Sequence, residues 1–416
     1  MNFGYLSQVF SKYAWKRITA VETDPAVSNG HEFNSSGRLR DILGDTPRKA
    51  KEGSGIPAVF VYIDDSENES IRAEGMLSWY DSRANQPHRA AEWRLYYTDN
   101  SVIGADGLAQ AGDSLVIAFA QEEASATVFI AESGTTAESQ LLWLFGLGVT
   151  SRTFETAQIS DQQLIDASRA RILEAAGIVV TAQDDVLLER MLALFGERFP
   201  SSRSFSDFVR EHCEDQNVRS EPDKALLKWM EMEEFAFRIL ERFLVGRVIK
   251  EGFSEVDTFV AFSLSVQNRR KARAGLAFEN HLAEVFRIHG LKFARGAKLE
   301  NKAKPDFLFP GITHYCDQEF PVELLTLLGA KTTCKDRWRQ VLAEGKRLSG
   351  RERHLITLEP AISSNQLAEM RDNLVRLIVP RSLHATYPVM ERSALWDVDK
   401  FVSSVREKQA SSDLLT

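Results

Sequence analysis

The sequence predicts a two-domain protein, with a β-rich domain over 1–150 and an α/β domain with a mixed central sheet over 185–410, joined by a connector at 151–184. Three observations support this fold class. The chain has 416 residues, which exceeds one typical domain. Its first part alternates short apolar runs with polar, glycine-containing turns. Its later part shows helical periodicity and then alternating strands and helices.

In the N-terminal domain, four runs of β-branched and aromatic residues predict strands at 57–63, 92–98, 113–121 and 125–133, and a helix follows near 141–147. This pattern is typical of a barrel or sandwich. Two basic or polar segments interrupt it, and they fit either loops that hold a phosphate backbone or ordinary surface loops. Their candidate DNA contacts are Lys16, Arg17, Arg83, Arg89 and Arg94.

The C-terminal domain begins with helices at 186–200 and 223–250, whose apolar residues recur at helical spacing. The next helix is predicted from Arg269 to Gly290, with Phe278, Leu282, Val285 and Phe286 on its apolar face and glycine as its stop. Strands and helices then alternate. The predicted strands are 304–310, 323–333, 353–359 and 375–380, and the predicted helices are 335–348 and 366–372. After about residue 407, no regular structure is expected.

The net charge of −8 argues against a general polyanion-binding protein, but local charge differs. Between residues 331 and 353, eight basic residues outnumber three acidic ones. A second basic cluster comprises Arg269, Arg270, Lys271 and Arg273. Each cluster fits either a DNA contact or a solvated helix face.

Three widely spaced cysteines predict neither a disulfide framework nor a zinc site. No apolar run reaches about 18 residues, and the N-terminal sequence lacks the pattern of a signal peptide. A cytoplasmic protein without a membrane partner is therefore expected.

Two segments of the α/β domain contain parts of a metal-dependent nuclease motif. That motif places Pro-Asp before a spacer and then, on a strand, an acidic residue, any residue and a lysine. Pro305, Asp306 and Lys331 fit it, but Gly329 occupies the acidic position. Because residues two apart on a strand face the same side, Gly329 is expected to leave a space beside Lys331. The alternative is that Asp306 and Lys331 form a structural ion pair.

Glu344 is the predicted replacement for the missing carboxylate. It follows Lys331 by thirteen residues in a predicted helix and flanks the apolar positions Val341 and Leu348, so its side chain is expected to reach the space at Gly329. Glu279, at the margin of the preceding helix's apolar face, is a further candidate. Asp306 and Glu344 are the predicted ligands of Mg²⁺, a hard cation that prefers carboxylate oxygens.

A basic-acidic-basic triplet, Lys335, Asp336 and Arg337, begins the same predicted helix. Arginine or lysine matches the O6 and N7 acceptors of guanine, and aspartate accepts from cytosine N4. The triplet therefore predicts recognition of adjacent G·C pairs, with an N-capping aspartate between two solvated bases as the alternative.

Several of these segments closely resemble the catalytic domain of the EcoRII family of type II restriction endonucleases over about residues 198–390. The segments are NRRKARAG, KPDFLFP, EFPVELL, GAKTTCKDRWRQ and VRLIVPRSLHATYP. The resemblance implies a restriction-endonuclease-like fold of the PD-(D/E)xK type. It places Asp306, Lys331 and Glu344 in a Mg²⁺-dependent active site, with Glu279 at a further acidic position.

The same resemblance implies that Lys335, Asp336 and Arg337 read the C·G pairs of a CCWGG-type site in double-stranded DNA, and that the 268–273 segment lies against DNA. Relatives also flip the central base pair out of the helix. A homodimer through the catalytic domain is expected, with a monomer as the alternative. A CCGG or CCNGG nuclease, a non-cleaving two-domain DNA-binding regulator and a mismatch-directed repair nuclease remain alternative functions.

The N-terminal segments AWKRITA, SNGHEF and SWYDSR resemble, more faintly, the family's effector-binding domain, a pseudobarrel similar to the plant B-three DNA-binding domain. This implies that the N-terminal domain also binds DNA. The sequence departs from the family over residues 82–94, and its connector is longer than that of EcoRII.

Overall fold

A computed structural model describes the protein at residues 4–23, 31–33, 36–66, 70–86, 88–98, 101–103, 107–121, 124–148, 151–161, 163–178, 184–213, 217–300 and 303–413. The side chains at 36, 167, 335–337 and 412–413 lie outside this description. The chain divides into two compact units. The N-terminal unit spans 3–180 and includes 361–363, and the C-terminal unit spans 181–360 and 364–416.

The N-terminal unit contains eight described strands and four described α-helices. The strands are β1 (Lys12–Arg17), β2 (Glu32–Phe33), β3 (Ile56–Ile63), β4 (Ile71–Asp81), β5 (Trp93–Tyr97), β6 (Ser114–Phe119), β7 (Ala126–Ala131) and β8 (Glu155–Gln158). The helices are α1 (Ala20–Thr23), α2 (Arg40–Leu43), α3 (Thr136–Phe145) and α4 (Ala167–Ala175). Short 3₁₀ turns lie at Leu6–Gln8, Ser36–Leu39 and Ala50–Glu52.

These strands form one sheet in the order β2-β5-β4-β3-β7-β6-β1-β8. Its described pairs are antiparallel except β3–β7, which is parallel. Alternating inward side chains, among them Phe60, Trp79 and Phe119, form the core of the unit. Thr135 caps α3 by accepting a hydrogen bond from the Glu138 amide, and Gly146 ends the helix in the left-handed conformation.

The structure confirms the four predicted strands and the helix of this unit, and adds four strands. It also differs at the expected connector. Residues 155–158 pair with β1 as strand β8, and the whole stretch up to residue 180 clusters with the N-terminal unit. Backbone pairing therefore makes most of 151–184 part of the sheet unit instead of a separate tether.

The C-terminal unit contains seven described α-helices and five described strands. The helices are α5 (Asp185–Phe195), α6 (Ser202–His212), α7 (Pro222–Glu251), α8 (Val256–Ile288), α9 (Ile312–Cys316), α10 (Ser364–Asp372) and α11 (Val398–Asp413). The strands are β9 (Ala294–Arg295), β10 (Phe307–Phe309), β11 (Thr326–Lys331), β12 (Arg353–Thr357) and β13 (Val375–Ile378). The 3₁₀ segments are Val322–Leu324, Lys335–Ala343, Lys346–Leu348, Arg381–Thr386 and Arg392–Ala394.

The five strands form a mixed sheet in the order β13-β12-β11-β10-β9. Strands β11, β12 and β13 are parallel, whereas β10 is antiparallel to both of its neighbours. The apolar face of α8 packs on this sheet, because Phe278 and Phe286 share a buried cluster with Phe307 and Leu328. The predicted mixed sheet is confirmed, and α8 brings Glu279 close to Asp306 at the start of β10.

Two predictions about secondary structure were wrong in this unit. The segment after β11 is not one α-helix over 335–348: a 3₁₀ helix ends at Ala343, Glu344 is extended, and Gly345 has a φ of 69°. The chain beyond residue 407 is helical as far as Asp413, because Gln409 exchanges hydrogen bonds with the Lys292 backbone. Among the described residues, no helix is both long and apolar enough to cross a membrane.

Candidate active site

Asp306 and Lys331 meet where β10 begins and β11 ends. The Lys331 Nζ donates to Asp306 Oδ2 over 2.9 Å, and the Ala330 amide donates to the same oxygen over 2.6 Å. Antiparallel pairing of Phe307 with Leu328 places these two side chains together. They are 15% and 14% exposed, so the pair is accessible at the surface of the unit. The structure thus brings together the two motif residues predicted from sequence.

The Glu344 carboxyl group lies close enough to Asp306 and Lys331 for both charges to shift its pKa. Burial and, second, the Asp306 charge raise the pKa of Glu344 to about 7, while Lys331 and Arg353 oppose the shift. Its Oε2 atom is buried and has no hydrogen-bond partner among the residues that the structure describes. The Glu344 backbone carbonyl accepts a hydrogen bond from Arg353 Nε over 3.2 Å, which fixes the chain at this point.

The structure corrects the expected role of Gly329. A Cβ atom at this position would lie 2.5 Å from Val341 Cγ2 and 3.5 Å from Leu355 Cδ1. The position is therefore not an empty space filled by Glu344. Val341 packs directly on the glycine, and the absence of a side chain at Gly329 allows the segment that carries Glu344 to approach the strand.

Glu279 is the third carboxylate near Lys331. Burial raises the pKa of Glu279, as does the Asp306 charge, while Arg295 and Lys331 oppose the shift. Arg295, on β9, donates from Nε to Glu279 Oε2 over 3.0 Å and from Nη1 to Asn280 Oδ1 over 2.6 Å. Arg295 therefore holds the orientation of Glu279. Sequence reasoning missed it because a lone arginine in a two-residue strand has no distinctive pattern.

The site's donor set fits a hard divalent cation. Mg²⁺ binds through one or two protein carboxylates and keeps several waters. Asp306 and Glu344 supply two carboxylates, and the unpartnered Glu344 oxygen lacks a donor that would compete with a cation. Within the described ranges, no group of three His, Cys, Asp or Glu side chains is arranged to hold a metal ion. Two carboxylates are consistent with Mg²⁺, which binds few protein ligands and keeps several waters.

The candidate base-reading triplet begins the 3₁₀ segment, four residues after Lys331 in sequence. The side chains of Lys335, Asp336 and Arg337 lie outside the described residues, and only their backbone is described. Trp338, Val341 and Leu348 are buried, and they hold one side of the segment against the unit.

The 269–273 cluster divides into partly accessible and buried residues. Arg269 stacks on Phe199 with its Cζ 3.8 Å from the ring centroid, Arg270 pairs with Glu241, and Lys271 is exposed. Arg273 does not fit the prediction of a DNA contact. It is buried, it pairs with Glu234, and its guanidinium lies over the Phe237 ring. Arg273 therefore joins α8 to α7.

In the N-terminal unit, Lys16 also contradicts its predicted role. It is completely buried, pairs with Glu22 and lies over the Phe154 ring, so it does not reach a phosphate backbone. Arg17 is partly accessible and pairs with Glu138 at 2.5 Å.

Two further predicted contacts lie in the N-terminal unit beside acidic partners. Arg83 pairs with Glu92 at 2.8 Å, and Arg94 bridges Glu32 and Glu92. Both arginine side chains are 35% exposed. They remain available to an external anion, but each must exchange an existing carboxylate partner to bind it.

Comparison with known proteins agrees with the C-terminal geometry. Residues 237–402 match the family model described as EcoRII C terminal. The chain is 43% identical over 209 residues to the type II restriction enzyme EcoRII of Escherichia coli, an alignment that covers 50% of this chain and 51% of that enzyme. Residues 237–402 are thus similar to the EcoRII C-terminal domain. The chain spans about half the length of this curated relative.

Two solved structures of DNA complexes were also similar. Metal-depleted Ecl18kI with uncleaved, modified DNA gives a TM-score of 0.44 at 17% identity, covering 55% of this chain and 84% of that chain. The PspGI complex with substrate DNA gives a TM-score of 0.40 at 14% identity, covering 55% of this chain and 93% of that chain.

Proposed function

We propose that this protein is a Mg²⁺-dependent type II restriction endonuclease that hydrolyses phosphodiester bonds in double-stranded DNA at a CCWGG-type site. The observation that carries the proposal is the convergence of Glu279, Asp306 and Glu344 around Lys331. The 43% identity to EcoRII over half of the chain supports the same activity.

The chemistry requires an activated water, a neutralised non-bridging oxygen and a stabilised leaving group. Mg²⁺ held by Asp306 and Glu344 supplies Lewis acidity when it is bound. Lys331, held 2.9 Å from Asp306 Oδ2, presents its ammonium beside the carboxylates and offsets phosphate charge. Arg295 orients Glu279, so the acidic side of the site is fixed before DNA arrives.

We propose that base recognition is provided by Lys335, Asp336 and Arg337. Their backbone begins the segment that also carries Glu344, so recognition and cleavage share one stretch of chain. Arg269, Arg270 and Lys271 are proposed phosphate contacts, because they are partly or fully accessible on α8.

The N-terminal unit is proposed to bind DNA as well, as a B-three-type pseudobarrel. Its eight-stranded, almost wholly antiparallel sheet supports this proposal. Arg17, Arg83, Arg89 and Arg94 are the accessible candidates that remain after Lys16 is removed.

A homodimer through the C-terminal unit is proposed because a nearly palindromic site presents two equivalent strands, which two copies related by a twofold axis match. Light scattering coupled to gel filtration tests this assembly. A mass equal to one chain, with and without DNA, would contradict the dimer.

Digestion of plasmids that carry CCWGG, CCGG or other CCNGG sites tests the activity. With Mg²⁺, CCWGG plasmids should give discrete fragments, and Asp306→Ala should reduce cleavage at least about a thousandfold with little change in DNA affinity. Asp372→Ala, an exposed aspartate at the end of α10, is the control and should cleave normally. A smear, or site-specific binding without cutting by the unaltered protein, would contradict the proposal.

A further inference from the structure

Glu359 is a buried carboxylate that the chemistry above does not use. It follows β12 by two residues and is only 3% exposed. Its Oε2 accepts a hydrogen bond from the amide of Cys334, the residue immediately before the 3₁₀ segment Lys335–Ala343. Burying a carboxylate is costly unless it is hydrogen-bonded, so its place at this amide needs a structural reason.

The surrounding contacts connect this amide to the end of β11. Lys331 is the register partner of Thr357 on the parallel strand β12. The Thr357 hydroxyl accepts a hydrogen bond from the Glu359 amide over 3.1 Å. The chain from Lys331 to Cys334 is therefore closed into a ring by strand pairing and the Glu359 side chain.

Tyr387 anchors the same carboxylate-bearing residue from another part of the unit. Its hydroxyl donates to the Glu359 carbonyl over 2.6 Å, and its side chain is 1% exposed. The Cys334 side chain is completely buried, and burial raises the pKa of this thiol well above its ordinary value, with Glu359 adding to the shift. The thiol is thus a neutral, packed group that also lies within hydrogen-bonding reach of Thr357 and Glu359, and the Cys334 amide adds a backbone link to Glu359.

We propose that Glu359 is a positioning residue that holds the start of the base-reading segment at a fixed distance from Lys331 and so sets sequence discrimination. This inference rests on the proposed function. Bidentate base contacts lose their value when donors shift from the base edges, whereas phosphate contacts tolerate such shifts. Loss of the Glu359 link should therefore weaken binding to the correct site and leave binding to other DNA nearly unchanged.

The test compares affinity for a CCWGG duplex with affinity for a duplex in which one outer C·G pair is replaced, without divalent metal. For Glu359→Ala, we expect about tenfold weaker binding to the CCWGG duplex, and a change of less than about twofold for the altered duplex. Glu359→Gln keeps an acceptor oxygen and should retain most of the discrimination, with a loss of about threefold. Thermal unfolding of each variant separates this effect from loss of the fold.

Glu352→Ala is the matched control, since Glu352 precedes β12, is 40% exposed and pairs with Arg376 instead of the Cys334 amide. Its discrimination should equal that of the unaltered protein. If Glu359→Ala does not fold, the test uses Glu359→Gln instead. Unchanged discrimination between the two duplexes in that variant overturns the inference. Equal weakening on both duplexes also overturns it. If the unaltered protein itself does not discriminate, the proposed function falls, and this inference falls with it.

Discussion

Two lysine–carboxylate pairs, one in each unit, differ in their burial and in the groups that surround them. In the N-terminal unit, Lys16 and Glu22 are both fully buried. Glu22 also accepts hydrogen bonds from the Thr19 amide and hydroxyl, over 2.7 and 2.8 Å. One cation meets one anion there, and hydrogen bonds satisfy the carboxylate. This arrangement stabilises the fold and is closed to solvent.

Lys331 and Asp306 are instead partly accessible and have two further carboxylates beside them. Glu279 and Glu344 both have raised pKa values, for which burial is the first cause and the Asp306 charge the second. Lys331 is therefore shared by three carboxylates. Glu279 also pairs with Arg295, whereas Glu344 Oε2 has no hydrogen-bond partner among the described residues. A carboxylate oxygen without a protein partner beside the lysine–aspartate pair, more than the pair itself, distinguishes a candidate metal site from a structural ion pair.

Replacing each lysine by methionine tests this difference most strongly. Lys16→Met leaves Glu22 buried without its cation and should lower the free energy of unfolding by about 3–5 kcal/mol. Lys331→Met should cost less stability, about 1–3 kcal/mol, because Asp306 is partly accessible to water and keeps the hydrogen bond from the Ala330 amide, yet it should abolish cleavage. Chemical denaturation and cleavage rates measure the two effects.

The control for the lysine series is Lys51→Met, an exposed position in the N-terminal unit that should change neither quantity. Equal destabilisation by Lys16→Met and Lys331→Met would contradict the contrast between the fully buried Lys16–Glu22 pair and the partly accessible Lys331–Asp306 pair.

A second test concerns the close packing that places Glu344. Gly329→Ala puts a Cβ atom 2.5 Å from Val341 Cγ2, and overpacking of this kind costs about 1–3 kcal/mol. We expect cleavage to fall by about tenfold or more, because Val341 lies three residues before Glu344. Adding Val341→Ala removes the clashing methyl group, and the remaining Val341 Cβ lies 3.8 Å from the new atom, an ordinary contact.

The double variant should therefore be more stable and more active than Gly329→Ala alone. Gly246→Ala is the control, since a Cβ atom there has open space, and it should be neutral or slightly stabilising. Additive losses in the double variant would show that Val341 is not the obstacle.

The smallest expected effect is a pH-dependent change in stability at Glu344. Its pKa is raised from 4.5 to about 7, so the folded state binds this proton more tightly than the unfolded state. The stabilisation by the proton is complete below about pH 4.5 and is lost as the pH rises through about 7. At about pH 8, Glu344→Gln should therefore have a free energy of unfolding higher than that of the unaltered protein by on the order of 1 kcal/mol. The two proteins should be equally stable near pH 4.5.

Glu344→Gln should also lose cleavage while keeping DNA affinity, which would show that the same carboxylate costs stability and serves activity. Glu319→Gln, at an exposed position, is the control and should show no such pH dependence. A constant stability difference between Glu344→Gln and the unaltered protein at all pH values would show that Glu344 does not carry this charge penalty.

The least predictable parts of the fold were those whose sequence pattern conflicts with their surroundings. Strand β4 mixes charged, small and aromatic residues over eleven positions, so its alternation is weak, and only pairing with β3 and β5 makes it a strand. Lys16 shares a strand face with buried Ala14, but a lysine on an inward face is unexpected without knowing that Glu22 folds back to meet it. Long-range contacts of this kind leave no local signal.

The sequence by itself determined the two-part organisation, the mixed C-terminal sheet and the candidate residues Asp306, Lys331, Glu344 and Glu279, since strand periodicity and motif spacing are local properties of the chain. Only the tertiary structure decided how these residues meet. It showed that Val341 fills the position beside Gly329, that Arg295 orients Glu279 and that Glu359 binds the Cys334 amide. These contacts join residues that are distant in sequence, and close packing, not periodicity, selects them.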